Sequence, residues 1–166
     1  MSGVVVSPTG SRSIQPIVDT VYRLQAVFRN GRRDLGFAVI KVKLPEEVTI
    51  SANYMVPLLV QALKGTPVKR VVVANSVELD LTGYEDIAIG AGVTLEGGRT
   101  VSEPCARLFT RTRPKHLSAI DGDNVHITGV RIEGPDQGTP TEDEPNHGVG
   151  IIDYFHINLE IDHNEI

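Results

Sequence analysis

Val125-His126-Ile127-Thr128-Gly129-Val130-Arg131-Ile132-Glu133-Gly134 is an apolar-x-apolar triplet, a two-residue break, a second such triplet and an acid. On an extended chain this alternation turns one apolar face inward and one polar face outward. The pattern occurs twice more. Upstream it reads Ile87-Ala88-Ile89, three residues, then Val93-Thr94-Leu95-Glu96-Gly97. Downstream it reads Phe155-His156-Ile157, Asn158, then Leu159-Glu160-Ile161-Asp162-His163. The copies lie 38 residues apart (Ile87 to Val125) and then 30 (Val125 to Phe155). Such spacings are too long for a hairpin and lack the helix that a βαβ unit needs. They fit coils of a solenoid, with loops of varying length between stacked strands. Stretches 97–115 and 134–147, rich in Gly, Pro, Thr and charge, supply those loops. A shorter echo, Val71-Val72-Val73 then Val77-Glu78-Leu79-Asp80, reads as a neighbouring face of one turn. Hairpin turns such as Asn-Gly are missing between these strands, which disfavours the alternative of a β-sandwich.

Before residue 71 the period differs. Ile14, Ile17, Val18, Val21, Leu24, Val27 and Phe28 recur three and four apart. This predicts a helix capped by Ser13, with Pro16 in its first turn and Asn30-Gly31 at its end. Stretch 37–42 alternates as a β-branched strand closed by Pro45. A second helix is predicted over about 57–64, entered at Pro57 and stopped by Gly65. The expected architecture is therefore one mainly β domain. A helical and mixed capping segment at 1–70 precedes a right-handed parallel β-helix at 71–166.

The 166 residues suit a single domain, and 40% hydrophobic content is ordinary for one. A net charge of −5 gives no electrostatic footprint for nucleic acid. The basic clusters at Arg29, Arg32, Arg33 and at Lys69, Arg70 read as solvated faces. The single cysteine, Cys105, has no partner for an internal disulfide and no ligand-spaced neighbour. No apolar run approaches the ~20 residues of a membrane span, so no membrane partner is expected. The first thirty residues show no basic start followed by an apolar core, so no secretory signal is visible. No P-loop, dinucleotide fingerprint, zinc-binding His pair or nucleophile elbow is present.

Residues 120–135, Ile-Asp-Gly-Asp-Asn-Val-His-Ile-Thr-Gly-Val-Arg-Ile-Glu-Gly-Pro, resemble the coil signature of pectin-lyase-like β-helix proteins. Leu159-Glu-Ile-Asp-His-Asn164 is similar to the W-I-D-H segment of pectate lyases, with Glu160 in the tryptophan's place. Thr82-Gly83 and the run from Gly92 to Arg99 resemble the first coil of such proteins. The resemblance covers about 71–166 and implies the fold, a secreted or cell-surface location, and a polysaccharide as ligand or substrate. It also implies that the N-terminal helix caps the open end of the core. Two departures bear on activity. The family's calcium-holding aspartates have no counterpart in Gly148-Val149-Gly150, and its basic arginine would lie beyond Ile166. Lyase turnover is therefore not expected from this chain.

Aligning the three copies puts Glu96, Glu133 and Asp162 in one outward column, roughly 4.8 Å apart. Carboxylates so spaced repel by about 1 kcal/mol in water and more at lower dielectric. A bound Ca²⁺ would offset that cost. The competing reading is a hydrated ladder neutralised by Arg131. A second column pairs His126 with His156, a surface for a transition metal or a sugar ring, or two exposed surface residues. With Arg131 and Glu160 these histidines make up the expected glycan contacts. Asp121 with Asp123, and Asp153 with Asp162 and His163, offer the paired carboxylates of a glycosidase. At 121–124 a turn competes with that reading. Asn124, Asn158 and Asn164 suit corners, where asparagine tolerates tight backbone and can ladder its amides. Ile166 ends the third copy with no closing cap, so self-association through an uncovered last coil is expected. The leading function is carbohydrate recognition or processing. The alternative is a non-catalytic structural or adhesion module.

Overall fold

The computed structural model describes residues 16–28, 31–98, 105–112, 116–134 and 149–165. The protein is mainly β and divides into two compact units, Met1–Val42 and Lys43–Ile166.

In the first unit, β1 (Thr20–Phe28) and β2 (Gly31–Ile40) pair antiparallel, with Val21 opposite Val39 and a register shift between Leu24 and Gln25. The helix expected over 14–28 is therefore corrected to a strand throughout 20–28. Tyr22, Leu24, Ala26 and Phe28 recur with a period of two, and β-branched Thr20 and Val21 with aromatic Tyr22 favour extended backbone. Gly31, read with Asn30 as a helix stop, is instead the first residue of β2, and Asn30 lies outside the described residues. Phe28 pairs with Gly31, whose φ of 135° suits only glycine, leaving two residues to connect them. The strand expected at 37–42 lies largely within β2. Val21, Leu24, Leu35, Phe37 and Val39 are exposed on this hairpin.

The second unit begins with β3 (Glu47–Ile50), a 3₁₀ turn (Asn53–Met55) and α1 (Val56–Leu63). Helix α1 follows the predicted one closely. Pro57 sits in its first turn, and Gly65, at φ 82°, ends it with an N–H donated to the Ala62 carbonyl at 3.1 Å. Val56, Leu58, Leu59, Ala62 and Leu63 are buried. The helix packs on β3 and on strands β4 and β6, which follow it. The chain continues through β4 (Arg70–Val73), β5 (Glu78–Asp80), β6 (Ile87–Gly90), β7 (Thr94–Gly97), β8 (Ala106–Phe109) and β9 (His116–Asp121). It ends with β10 (His126–Thr128), β11 (Val130–Glu133), β12 (Val149–Ile152) and β13 (Glu160–Asp162).

All pairing among these strands is parallel. One sheet of five strands has the order β13-β10-β7-β4-β3, and two sheets of three have the orders β11-β8-β5 and β12-β9-β6. From β4 to β13 the chain visits the three sheets in unvarying rotation. Parallel pairing begins at Glu47, upstream of residue 71. In the five-stranded sheet Val48, Val71, Leu95 and Ile127 stand opposite one another and are buried. Each such side chain contributes about 1.5–3 kcal/mol on burial.

Ile87, Ile89, Val93, Leu95, Val125, Ile127, Val130 and Ile132 are buried, as the repeat requires. The third copy departs from it: Phe155, Ile157 and Ile161 are exposed and Leu159 is half-buried. Strand β13 has a sheet neighbour on one side only, and Phe155, at φ 71°, is 99% exposed. The register also differs from the expected alignment by one strand per copy. Ile127 pairs with Leu95 and Ile161, whereas Ile87 and Ile89 pair with Ser118 and Ile120 of β9. Within the loop expected at 97–115 lies β8; of the loop at 134–147, residues 135–147 fall outside the described residues.

Candidate functional site

Alternation along β3, β4, β7, β10 and β13 turns two register-matched columns outward from the five-stranded sheet. One runs Glu47, Arg70, Thr94, His126, Glu160; the other runs Thr49, Val72, Glu96, Thr128, Asp162. Arg70 joins them. Its Nη1 lies 2.6 Å from Glu47 Oε2, while Nε and Nη2 both donate to Glu96 Oε2, at 2.9 and 2.8 Å. Those carboxylates, Glu47 first, raise the guanidinium above its ordinary pKa, so it stays charged.

At the other side of the sheet His126, Glu160 and Asp162 converge. One ligand atom from each lies within 4.8 Å of the other two. His126 Nε2 is 3.1 Å from Asp162 Oδ1, and His163 Nδ1 is 3.2 Å from Asp162 Oδ2. The Asp162 carboxyl is held down to about 2, first by the Thr128 hydroxyl and next by His126. Among the described residues this is the group whose donor atoms are close enough together to share a metal ion.

The expected carboxylate column is not formed. Glu96 and Asp162 do share a column, with Thr128 between them, but Glu133 stands on β11 in a different sheet. Each acid has a cationic or hydrogen-bonding neighbour. Glu96 is held by Arg70. Glu133 takes two bonds from Arg107, Nη2 to Oε1 at 2.8 Å and Nε to Oε2 at 2.9 Å, and has Arg131 Nη2 at 3.3 Å. These arginines hold the Glu133 carboxyl below its ordinary range, Arg107 foremost. The ladder neutralised by basic neighbours is the arrangement that forms, because the one-strand stagger puts arginines beside the acids.

His156 is likewise not stacked on His126. It lies ahead of β13 with Nδ1 2.8 Å from Asp153 Oδ1, and Glu160 takes the place opposite His126. Arg131 is on the second sheet beside Glu133 and Glu165. Of the four expected glycan contacts, only His126 and Glu160 share a face. Asp123 ties two distant segments together, its Oδ1 accepting the Ile157 N–H at 3.0 Å. The asparagines behave as corners. Asn124 and Asn158 have φ of 58° and 56°, and the Asn158 amide donates to Asn124 Oδ1 at 2.8 Å. Asn164 donates to the Ile127 carbonyl and accepts the Val130 N–H. Sequence reasoning missed Thr94, Thr128 and Arg107 as parts of these faces. Once the register is known, an acid one strand away from each arginine is the signal that identifies the pairs.

No protein-family model, curated protein or solved structure matches this chain. Among the described residues no helix is long and apolar enough to cross a membrane.

The low pKa of Asp162 has a measurable consequence. A carboxyl depressed in the folded state stabilises that state above the ordinary value of 3.8, and the contribution is lost as pH falls to about 2. Between those limits the melting temperature of the wild-type protein is expected to fall more steeply than that of Asp162→Asn. Comparing the two variants cancels the carboxyls they share, including Glu133. Parallel melting curves across this interval would show that the contacts of Asp162 do not stabilise the fold.

Proposed function

We propose that Lys43–Ile166 forms a right-handed parallel β-helix of the pectin-lyase-like type and serves as a non-catalytic glycan-binding module. The observation that carries the architecture is the rotation of the chain through three parallel sheets, strand after strand. Parallel crossover connections are right-handed in about 98% of cases, which supports the hand. The outward face of the five-stranded sheet supports the binding role. Thr94, Thr128, His126, Glu160 and Asp162 mix hydroxyl, imidazole and carboxylate groups at regular register positions, as recognition of a sugar's many hydroxyls requires.

Charge decides which glycan fits. Glu47, Glu96, Glu160 and Asp162 stand on this face against the single arginine Arg70. A polyuronate would meet repulsion there, so a neutral glycan or an amino sugar is the better ligand. The arginines speak against lyase chemistry. Arg70, Arg107, Arg111 and Arg131 each lie within ion-pair distance of a carboxylate. None of these four is free to withdraw a proton from a uronate. Saturated ion pairs on the second sheet, Arg107 with Glu78 and Glu133, favour the second reading of a structural or adhesion module.

The discriminating experiment titrates the protein against immobilised neutral, amino-sugar and acidic glycans. Binding of a neutral or amino-sugar glycan is expected, weakened at least several-fold in Thr94→Val/Thr128→Val, which keeps the β-branched shape. Incubation with polygalacturonate is expected to give no unsaturated product. Failure of wild type to bind any neutral or amino-sugar glycan would leave the structural reading, and calcium-dependent polygalacturonate cleavage would overturn both.

A further inference from the structure

We propose that His126, Glu160 and Asp162 form a binding site for one first-row transition-metal dication of the Zn²⁺ class. The site follows from strand register. His126 stands opposite Glu160 across the β10–β13 pair, and Asp162, two residues on, points to the same side. The backbone beneath is fixed on both strands: the Glu160 N–H donates to the Val125 carbonyl at 2.9 Å, and the His126 N–H to Val93 at 3.1 Å. Zinc takes nitrogen and carboxylate oxygen at about 2.0–2.2 Å, so adjacent ligands of a tetrahedral ion stand roughly 3.3 Å apart. His126 Nε2 and Asp162 Oδ1, at 3.1 Å, already have that separation. The Glu160 carboxylate, on an exposed and rotatable stem, has its oxygen within 4.8 Å of both and can close the third edge.

The donor set selects the ion. Ca²⁺ and Mg²⁺ demand oxygen ligands, in numbers that two carboxylates do not supply, and they gain little from an imidazole. Zinc, cobalt and nickel accept this mixture readily. The Thr128 hydroxyl bonds Asp162, and His163 lies against the second oxygen of that carboxylate. Such outer contacts orient a ligand before the ion arrives. Because all three ligands rise from one face of a sheet, the solvent side of the ion remains open to water or to an exogenous donor. The site does not depend on the glycan reading, since its test contains no glycan.

The test is competition for Zn²⁺ between the purified full chain and a chromophoric chelator at neutral pH, repeated with Co²⁺ to read its visible bands. One equivalent is expected to bind the wild type. His126→Gln and Glu160→Gln should each weaken uptake at least tenfold, with circular dichroism unchanged because both side chains point outward. His156→Gln, which removes a histidine away from the site, should bind as wild type does. Millimolar Ca²⁺ should not displace the zinc. The proposal is overturned if the wild type takes up no stoichiometric zinc, if both site variants bind as wild type does, or if Ca²⁺ competes on equal terms. Should His126→Gln fail to fold, Glu160→Gln, on the neighbouring strand, decides the matter by the same reading.

Discussion

Ile127→Ala is expected to lower the unfolding free energy by about 2–5 kcal/mol, the cost of emptying a well-packed aliphatic site. Ile127 is fully buried, paired with Leu95 on one side and Ile161 on the other. Its loss opens a void between stacked layers whose backbones are tied by parallel ladders and cannot collapse inward to fill it. Against a typical stability of 5–15 kcal/mol this is a large fraction. The matched control is Ile161→Ala in the same column. Ile161 is 42% exposed, so its truncation removes less buried surface and leaves no enclosed cavity. Urea denaturation of both variants should therefore separate them by more than about 1 kcal/mol. Equal losses would mean that the inward column contributes no more in the middle of the sheet than at its edge.

That contrast also marks what the sequence could reveal. The apolar-x-apolar triplets named the core residues of the first two copies because burial on one face of a strand imposes a period of two wherever it occurs. The same rule is blind to register. The segments at β6, β7, β10 and β11 all carry the triplet, so 125–127 matches 87–89 and 93–95 equally well on pattern alone. Only the three-sheet rotation selects Leu95 as the partner of Ile127. The error propagated outward. A shift of one strand moved Glu133 away from Glu96 and Asp162, replaced His156 by Glu160 opposite His126, and hid the arginines that neutralise the acids. Strand β8 was lost among loop residues for a related reason: four residues between glycine- and proline-rich flanks are too few to show a period.

The N-terminal hairpin shows a different degeneracy. Apolar positions four apart, such as Leu24 and Phe28, also fit alternation, and a glycine of positive φ such as Gly31 serves a helix end and the start of a strand alike. Where a cue had one physical meaning it transferred intact. Pro57 and Gly65 bracketed α1, and the asparagines at 124 and 158 took up left-handed backbone and laddered their amides. For the site the residue types were legible and their grouping was not. His126 and Glu160 were singled out as glycan contacts and Asp162 as a member of the acidic column, and strand pairing is what gathers the three.

Gly90→Ala tests the junction that places α1 against this stack. Gly90 ends β6 and is buried, and a Cβ built there would collide with the Lys64 carbonyl oxygen and stand 2.8 Å from its carbon. Lys64 is the C-cap of α1, so the obstacle is backbone. A side chain could rotate away. The helix end can yield only by shifting as a unit, which would disturb Leu59, Ala62 and Leu63, all buried. Overpacking of this kind costs about 1–3 kcal/mol and occasionally more, and rigid backbone on one side puts Gly90→Ala at or above the upper end. Gly134→Ala is the control. Its added Cβ meets nothing within 4 Å and its φ is not positive, so a change within about 0.5 kcal/mol is expected. The two variants differ only in what the new methyl group meets, so thermal unfolding reads the contact directly. If Gly90→Ala melts with Gly134→Ala, helix α1 does not press on β6. If it melts well below, the helix end is a fixed wall against which the first turn of the sheets is built. Zinc uptake by the folded fraction should then be unchanged, because His126, Glu160 and Asp162 stand on the five-stranded sheet, at strands β10 and β13, which are not among the strands α1 packs on.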